Sequence, residues 1–165
     1  MNRIIFLIIF LISFISIAFS VYAEFFLKMN PCPLCIVQRT LLIIICIFSL
    51  IFSIVSLSRF LNTIFSFILI ILNAFNIKVA AHHLWLINLP PEQQPTSCGM
   101  PMEVMFKKLS MVNFLHKILE GDAECARAKW KIMGLLAPQL VIILSVIFII
   151  LLTYMIFNLK KNKNI

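Results

Sequence analysis

Four stretches of this chain, residues 4–22, 40–58, 60–77 and 132–158, contain no charged side chain, and nothing else in the sequence limits its fold so tightly. Each approaches or exceeds the roughly 20 apolar residues that cross a hydrocarbon core at 1.5 Å per residue. Inside lipid a backbone must satisfy its own hydrogen bonds, and an isolated apolar stretch does so only as a helix. The prediction is an all-α membrane protein, a four-helix transmembrane bundle with helices over about 4–22, 36–58, 60–81 and 132–158. Two loops, about 23–35 and 82–131, emerge on one side, and residues 1–165 form a single integral membrane domain. The first stretch also has the outline of a signal peptide, with Arg3 before it and Val21-Tyr22-Ala23 as a small-x-small site. It is longer than a usual h-region, and Tyr22 and Phe25 resemble an interfacial anchor, so a retained helix is expected.

Charge sets the orientation. Arg3, Arg59, Lys160, Lys161 and Lys163 share one side in short segments without an acid, which marks that side as cytoplasmic. The long loop mixes its basic residues with Glu92, Glu103, Glu120, Asp122 and Glu124. Both termini are therefore expected inside and both loops outside. A net charge of +8 would suit nucleic acid, but the basic residues form no soluble face with interleaved aromatics, and no nucleic-acid partner is expected. Within the long loop, Leu89-Pro90-Pro91 stops the third helix, and Pro95 and Pro101 keep the chain around Cys98 extended. Met105, Leu109, Val112, Leu115 and Leu119 then recur at helical spacing beside Lys107, Lys108 and Lys117. They predict a short amphipathic helix, on the bilayer surface or against the mouth of the bundle.

Chemistry concentrates in the cysteines. Pro31-Cys32-Pro33-Leu34-Cys35-Ile36-Val37-Gln38-Arg39 places a Cys-x-x-Cys between two apolar runs. A disulfide closing so small a loop adds little stability and is easily reduced, which suits electron traffic better than bracing. Pro31 and Pro33 predict a turn that presents the sulfurs until Leu34 or Cys35 opens the next helix. Arg39 lies one helical turn beyond Cys35, where its charge would favour a thiolate. With the loops outside, Cys32, Cys35, Cys98 and Cys125 meet an oxidising compartment in which paired thiols persist as disulfides. For Cys98 and Cys125 a structural bridge is an open alternative. Zinc on four thiolates is a weaker one, since the spacing is not that of two regular knuckles, so no metal is expected. Haem attachment would need histidine where Ile36 stands. Cys46, inside the second helix, reads as inert packing. His83 could hydrogen-bond a carbonyl or move protons at the interface, although His82 stands beside it.

The Cys32 to Arg39 motif does not stand alone. His83, Leu84, Trp85, Leu86 and Pro90, then Cys98-Gly99, then Gly121-Asp122-Ala123-Glu124-Cys125-Ala126, and finally Trp130, Gly134 and Pro138-Gln139 follow it in order. Together these motifs resemble the DsbB family, disulfide bond formation protein B of bacterial inner membranes, over essentially the whole chain. The resemblance implies catalytic cysteines at Cys32, Cys35, Cys98 and Cys125, working as two disulfides. Cys98 and Cys125 would oxidise a periplasmic DsbA-like thiol oxidase. Cys125 would then exchange with Cys32, leaving Cys35 as a thiolate beside ubiquinone or menaquinone from the membrane quinone pool. Arg39, Cys35 and His83 would form the quinone site. A multi-pass protein of the inner membrane, surrounded by lipid bilayer with its cysteine loops in the periplasm, is implied. Pro33 within the Cys-x-x-Cys departs from simple expectation and should alter the redox poise of the pair. Vitamin K epoxide reductase-type proteins join similar parts, but there the loop cysteines precede the Cys-x-x-Cys. A structural tetraspan protein with loop-bracing disulfides is the non-enzymatic alternative, and it predicts cysteines indifferent to quinone.

Overall fold

The computed structural model describes residues 2–26, 28, 31–55, 58–90, 92–94, 110–127, 131–132 and 134–161. Cys98, Trp130 and the extended and amphipathic readings over 95–109 lie outside the described residues. Helix α1 spans Asn2–Phe26, α2 Pro33–Ile54, α3 Arg59–Asn88, α4 Met111–Glu120 and α5 Ala123–Arg127. A hairpin of β1 (Lys131–Ile132) and β2 (Leu135–Leu136) leads into α6, Ala137–Lys161. The four long helices, α1, α2, α3 and α6, are apolar and long enough to cross a membrane, as the charge-free stretches predict.

The helices pack in sequence, α1 on α2, α2 on α3, α3 on α6, with α6 touching α1. Phe6, Ile9, Ile45, Leu69, Phe148, Leu152 and Met155 fill the space between them, while Phe14, Phe67, Ile150 and Phe157 point outward. An outward apolar surface is unfavourable in water and expected in lipid. Polar contacts add to the packing where apolar fit alone would not set the register. Asn76 Nδ2 donates to Ser145 Oγ at 3.4 Å between α3 and α6. At the far end of the bundle, Arg3 donates to the Ile54 carbonyl at 3.3 Å, which aligns the start of α1 with the end of α2.

The helix boundaries shift by a few residues from the sequence expectation, α1 running on to Phe26 and α2 ending at Ile54, and three of the shifts have a clear local reason. Helix α2 opens at Pro33 rather than near residue 36, because proline is favourable at the first helical position, where its missing N–H would have had no partner. Helix α3 continues past residue 81 to Asn88, since no breaker precedes Leu89-Pro90. Its 30 residues make about 45 Å of helix. The last span starts at Ala137 and not at residue 132. A helix begun earlier would put Pro138 in its interior, where it removes an i to i−4 bond and clashes with the preceding turn. The hairpin takes that place, with Gly134 at φ +84° in its turn. Gln139 Oε1 reaches back to accept from Leu136 N–H at 2.8 Å and caps α6. Helix α4 supplies the described part of the predicted amphipathic helix. Ile118 is buried and Leu119 packs inward, while Met111, Val112 and Leu115 are exposed.

Candidate functional site

One end of the bundle gathers the start of α2, the end of α3 and the short helix α5. Cys32 caps α2, and its sulfur accepts from Cys35 N–H at 3.4 Å, so capping fixes the Cys-x-x-Cys in a defined geometry. The Cys32 thiol donates to Cys35 Sγ at 3.0 Å. Asp122 caps α5 by accepting from Cys125 N–H at 3.1 Å, which sets the direction of Cys125. Gly121, at φ +79°, lets α5 come close: a Cβ there would lie 2.6 Å from Leu86 Cδ1 and 3.1 Å from Leu34 Cδ1. As a result Cys125 packs into the same buried cluster as Cys32. Leu34, Val79 and Leu86 close around these two sulfurs.

Cys32 therefore stands between two other cysteines. Its hydrogen bonds to Cys125 and Cys35, followed by burial, push its pKa far above the ordinary thiol range. Cys32 keeps its proton and directs it at Cys35. Cys32 and Cys125 are buried, whereas Cys35 is partly exposed, and all three are free thiols.

His83 sits in the same cluster, with only 1% of its surface exposed. Its Nδ1 is 3.4 Å from Gln38 Nε2, and its Nε2 is 3.3 Å from the Cys125 carbonyl and 3.7 Å from Cys32 Sγ. An amide nitrogen only donates, so Nδ1 accepts and the ring proton belongs on Nε2. In this tautomer His83 is a donor aimed at the Cys32–Cys125 junction. Gln38, 5% exposed, fixes the tautomer and is a residue that sequence reasoning missed. The available signal was a polar side chain one turn after Cys35 in an otherwise apolar helix.

Arg39 turns to α1. Its Nε donates to Ser20 Oγ at 3.1 Å, one terminal nitrogen donates to the Ser20 carbonyl at 3.5 Å and the other pairs with Glu24 Oε2. It also stays within electrostatic range of the Cys35 sulfur. Glu24, the one acid among the first 91 residues, was not anticipated as its partner. The other candidates stand apart. Cys46 points its thiol at the Phe10 carbonyl, 3.9 Å away, as a packed core side chain. His82 stacks on Trp85, and its Nε2 lies 3.1 Å from the Glu120 carbonyl, so it ties α3 to α4 rather than entering the sulfur cluster.

Three clustered cysteines, one proton-holding and one partly exposed beside a fixed cation, are arranged for thiol–disulfide exchange. Comparison with known proteins agrees. The family model described as disulfide bond formation protein DsbB matches residues 2–155. The chain is 34% identical over 129 residues to disulfide bond formation protein B of Acinetobacter baylyi, covering 78% of this chain and 75% of the relative. It is 32% identical over 137 residues to the protein of the same name from Stutzerimonas stutzeri, covering 83% of each.

Proposed function

This chain belongs to the DsbB family of disulfide bond formation proteins, and from that premise we propose how its residues carry electrons from a periplasmic DsbA-like thiol oxidase to a membrane quinone. The observation that carries the reading is Cys32 in contact with Cys35 and buried in one cluster with Cys125, with His83 Nε2 against both. A thiolate of the reduced partner attacks Cys98, breaking a Cys98–Cys125 disulfide and releasing Cys125 as a thiolate. Cys125 attacks Cys32, forming a Cys32–Cys125 bond and releasing Cys35. The partner's second thiol displaces Cys98 and leaves the partner oxidised. Cys98 then recaptures Cys125, and Cys32 departs. The Cys32/Cys35 dithiol returns to a disulfide by giving up the two electrons and two protons that came from the partner.

His83 donates through Nε2–H to the charge that forms on Cys32 as it leaves, and Gln38 keeps the proton on that nitrogen. Both ring nitrogens face protein groups, so His83 acts first on sulfur; contact with a quinone oxygen would displace one of these bonds. The residues suited to quinone are Cys35 and Arg39. Cys35 is the partly exposed sulfur, and Arg39 stands one turn away with a 20% exposed side chain. Its contacts with Ser20 and Glu24 leave a free hydrogen on each terminal nitrogen for a carbonyl oxygen. Ubiquinone or menaquinone, when bound there, accepts two electrons and two protons. An acceptor of that kind is required, because a DsbA-type oxidant sits at about −120 mV and a glutathione-like poise near −200 mV lies on the wrong side of it.

The membrane reading supports a multi-pass protein of the bacterial inner membrane. Arg3 and Arg59 lie at the opposite end from the cysteines, so the basic side faces the cytoplasm and the sulfur cluster the periplasm. The direct test uses a Cys35→Ser, Cys98→Ser double variant under mild oxidation. Cys32 and Cys125 should cross-link within one chain and be recovered as a linked peptide pair. Failure to link in a folded variant would contradict the relay.

A further inference from the structure

We propose that the fully reduced chain holds one thiophilic d10 cation, Zn2+ or Cu+, on Cys32, Cys35, Cys125 and His83. One ligand atom from each of Cys32, Cys35 and His83 lies within 4.8 Å of the others. Cys125, packed in the same buried cluster as Cys32, brings a third sulfur when its side chain turns toward this group. Three thiolates and an imidazole are a common donor set for tetrahedral zinc, and soft sulfur also favours Cu+. The donors come from the start of α2, from α3 and from α5, so three separate elements supply them. Three of the four residues are almost fully buried, and partly exposed Cys35 marks the route of entry.

The necessary adjustments are side-chain rotations, the largest at Cys125, whose sulfur stands outside the group of three. Two sulfurs on one zinc at about 2.3 Å stand about 3.8 Å apart. Cys32 and Cys35, at 3.0 Å, would therefore separate by less than an ångström through side-chain rotation. His83 must present a lone pair at Nε2, which moves its proton to Nδ1. Gln38 can meet that change by turning its amide, so that its oxygen accepts from Nδ1–H as the outer-shell partner that metal-bound histidines require. Binding releases the three thiol protons to solvent and transfers no electrons.

Oxidation and metal then exclude each other. A Cys32–Cys35 or Cys98–Cys125 disulfide removes ligands, so the site exists only when both pairs are reduced. A bound cation would hold the chain out of its cycle when oxidant is scarce. The proposal uses the sulfur cluster but not the electron path, and its test reads metal content rather than turnover, so the two readings fail separately.

The experiment is equilibrium dialysis of purified chain in detergent against buffered Zn2+, in reduced and oxidised forms, with Cys98→Ser and His83→Ala compared. Reduced wild type and reduced Cys98→Ser should each bind one zinc per chain. The oxidised chain should bind at least 100-fold more weakly, and His83→Ala should lose at least tenfold, the lower range seen even for outer-shell changes. Equal binding by the oxidised form, or loss of binding in Cys98→Ser, would overturn the assignment. Co2+ substitution in the wild type needs no variant. Tetrahedral spectra with charge-transfer intensity for three thiolates are expected, and intensity for two or four would refute the ligand set.

Discussion

Replacing Gln38 with leucine keeps the volume in α2 and removes one donor. Gln38 and His83 are 5% and 1% exposed, so water does not take the amide's place. The imidazole then has two outcomes. Nδ1 remains buried without a partner, at about 1–3 kcal/mol. Alternatively the proton moves to Nδ1, and a bare Nε2 faces the Cys125 carbonyl 3.3 Å away, lone pair against lone pair. Both deplete the donor tautomer beside Cys32. At about 1.4 kcal/mol per factor of ten, the variant should slow the exchange between Cys125 and Cys32 by about tenfold. Quenched-flow mixing with reduced DsbA, acid trapping, alkylation and separation of the Cys32–Cys125 species measures that step. The apparent KM for quinone should stay within about twofold, since Gln38 acts through His83 and not on Arg39. In a His83→Phe background the leucine change should add almost nothing, because the two residues act as one unit. Exchange at the wild-type rate in folded Gln38→Leu, or an undiminished effect when His83 is absent, would refute the role given to this pair.

Glu24→Gln removes the counter-charge of Arg39 but keeps a hydrogen-bonding group. The pair is partly exposed, so stability should fall by no more than about 1 kcal/mol. The KM for quinone should rise about threefold to tenfold with the KM for the partner unchanged, in steady-state assays that vary each substrate. Gly121→Ala meets both a positive φ and close contacts with Leu86 and Leu34, costing about 2–5 kcal/mol, while Gly134→Ala meets only the backbone term of about 1–2 kcal/mol. Unfolding midpoints in detergent should separate the two variants, and the first should also weaken Cys32–Cys125 cross-linking. The raised pKa of Cys32 means that the folded reduced chain holds a proton that the unfolded chain releases. The associated stability is complete below the ordinary thiol pKa of about 8.5 and declines as pH rises above it. Alkylation of Cys32 should accordingly be far slower than that of an unhindered thiol throughout pH 7 to 9, and should keep rising about tenfold per unit to pH 9, where the unhindered thiol has begun to level off.

The spans were legible because bilayer thickness acts on a plain sequence variable, the length of a charge-free stretch. Their ends were less so. Pro33 was read as a helix breaker, although the same missing N–H makes it a good first residue once Cys32 caps the helix. The hairpin at 131–136 has strands too short for any period to register. Within the site, Cys32, Cys35 and Arg39 stood out by spacing and Cys125 and His83 by resemblance. Gln38 was invisible as a partner of His83, because a contact between residues 45 positions apart depends on the pairing of α2 with α3. Glu24 was visible as an isolated acid, but its partner followed only from the packing of α1 on α2.

The most direct measurement is re-oxidation of reduced DsbA by the purified protein in detergent, with and without ubiquinone, for the wild type and Cys35→Ser. Multiple turnovers that require both the quinone and Cys35 are expected, with the variant halting after at most one equivalent of partner is oxidised. Sustained turnover by Cys35→Ser, or wild-type cysteines that stay oxidised and do not respond to quinone, would contradict the electron path through Cys32 and Cys35.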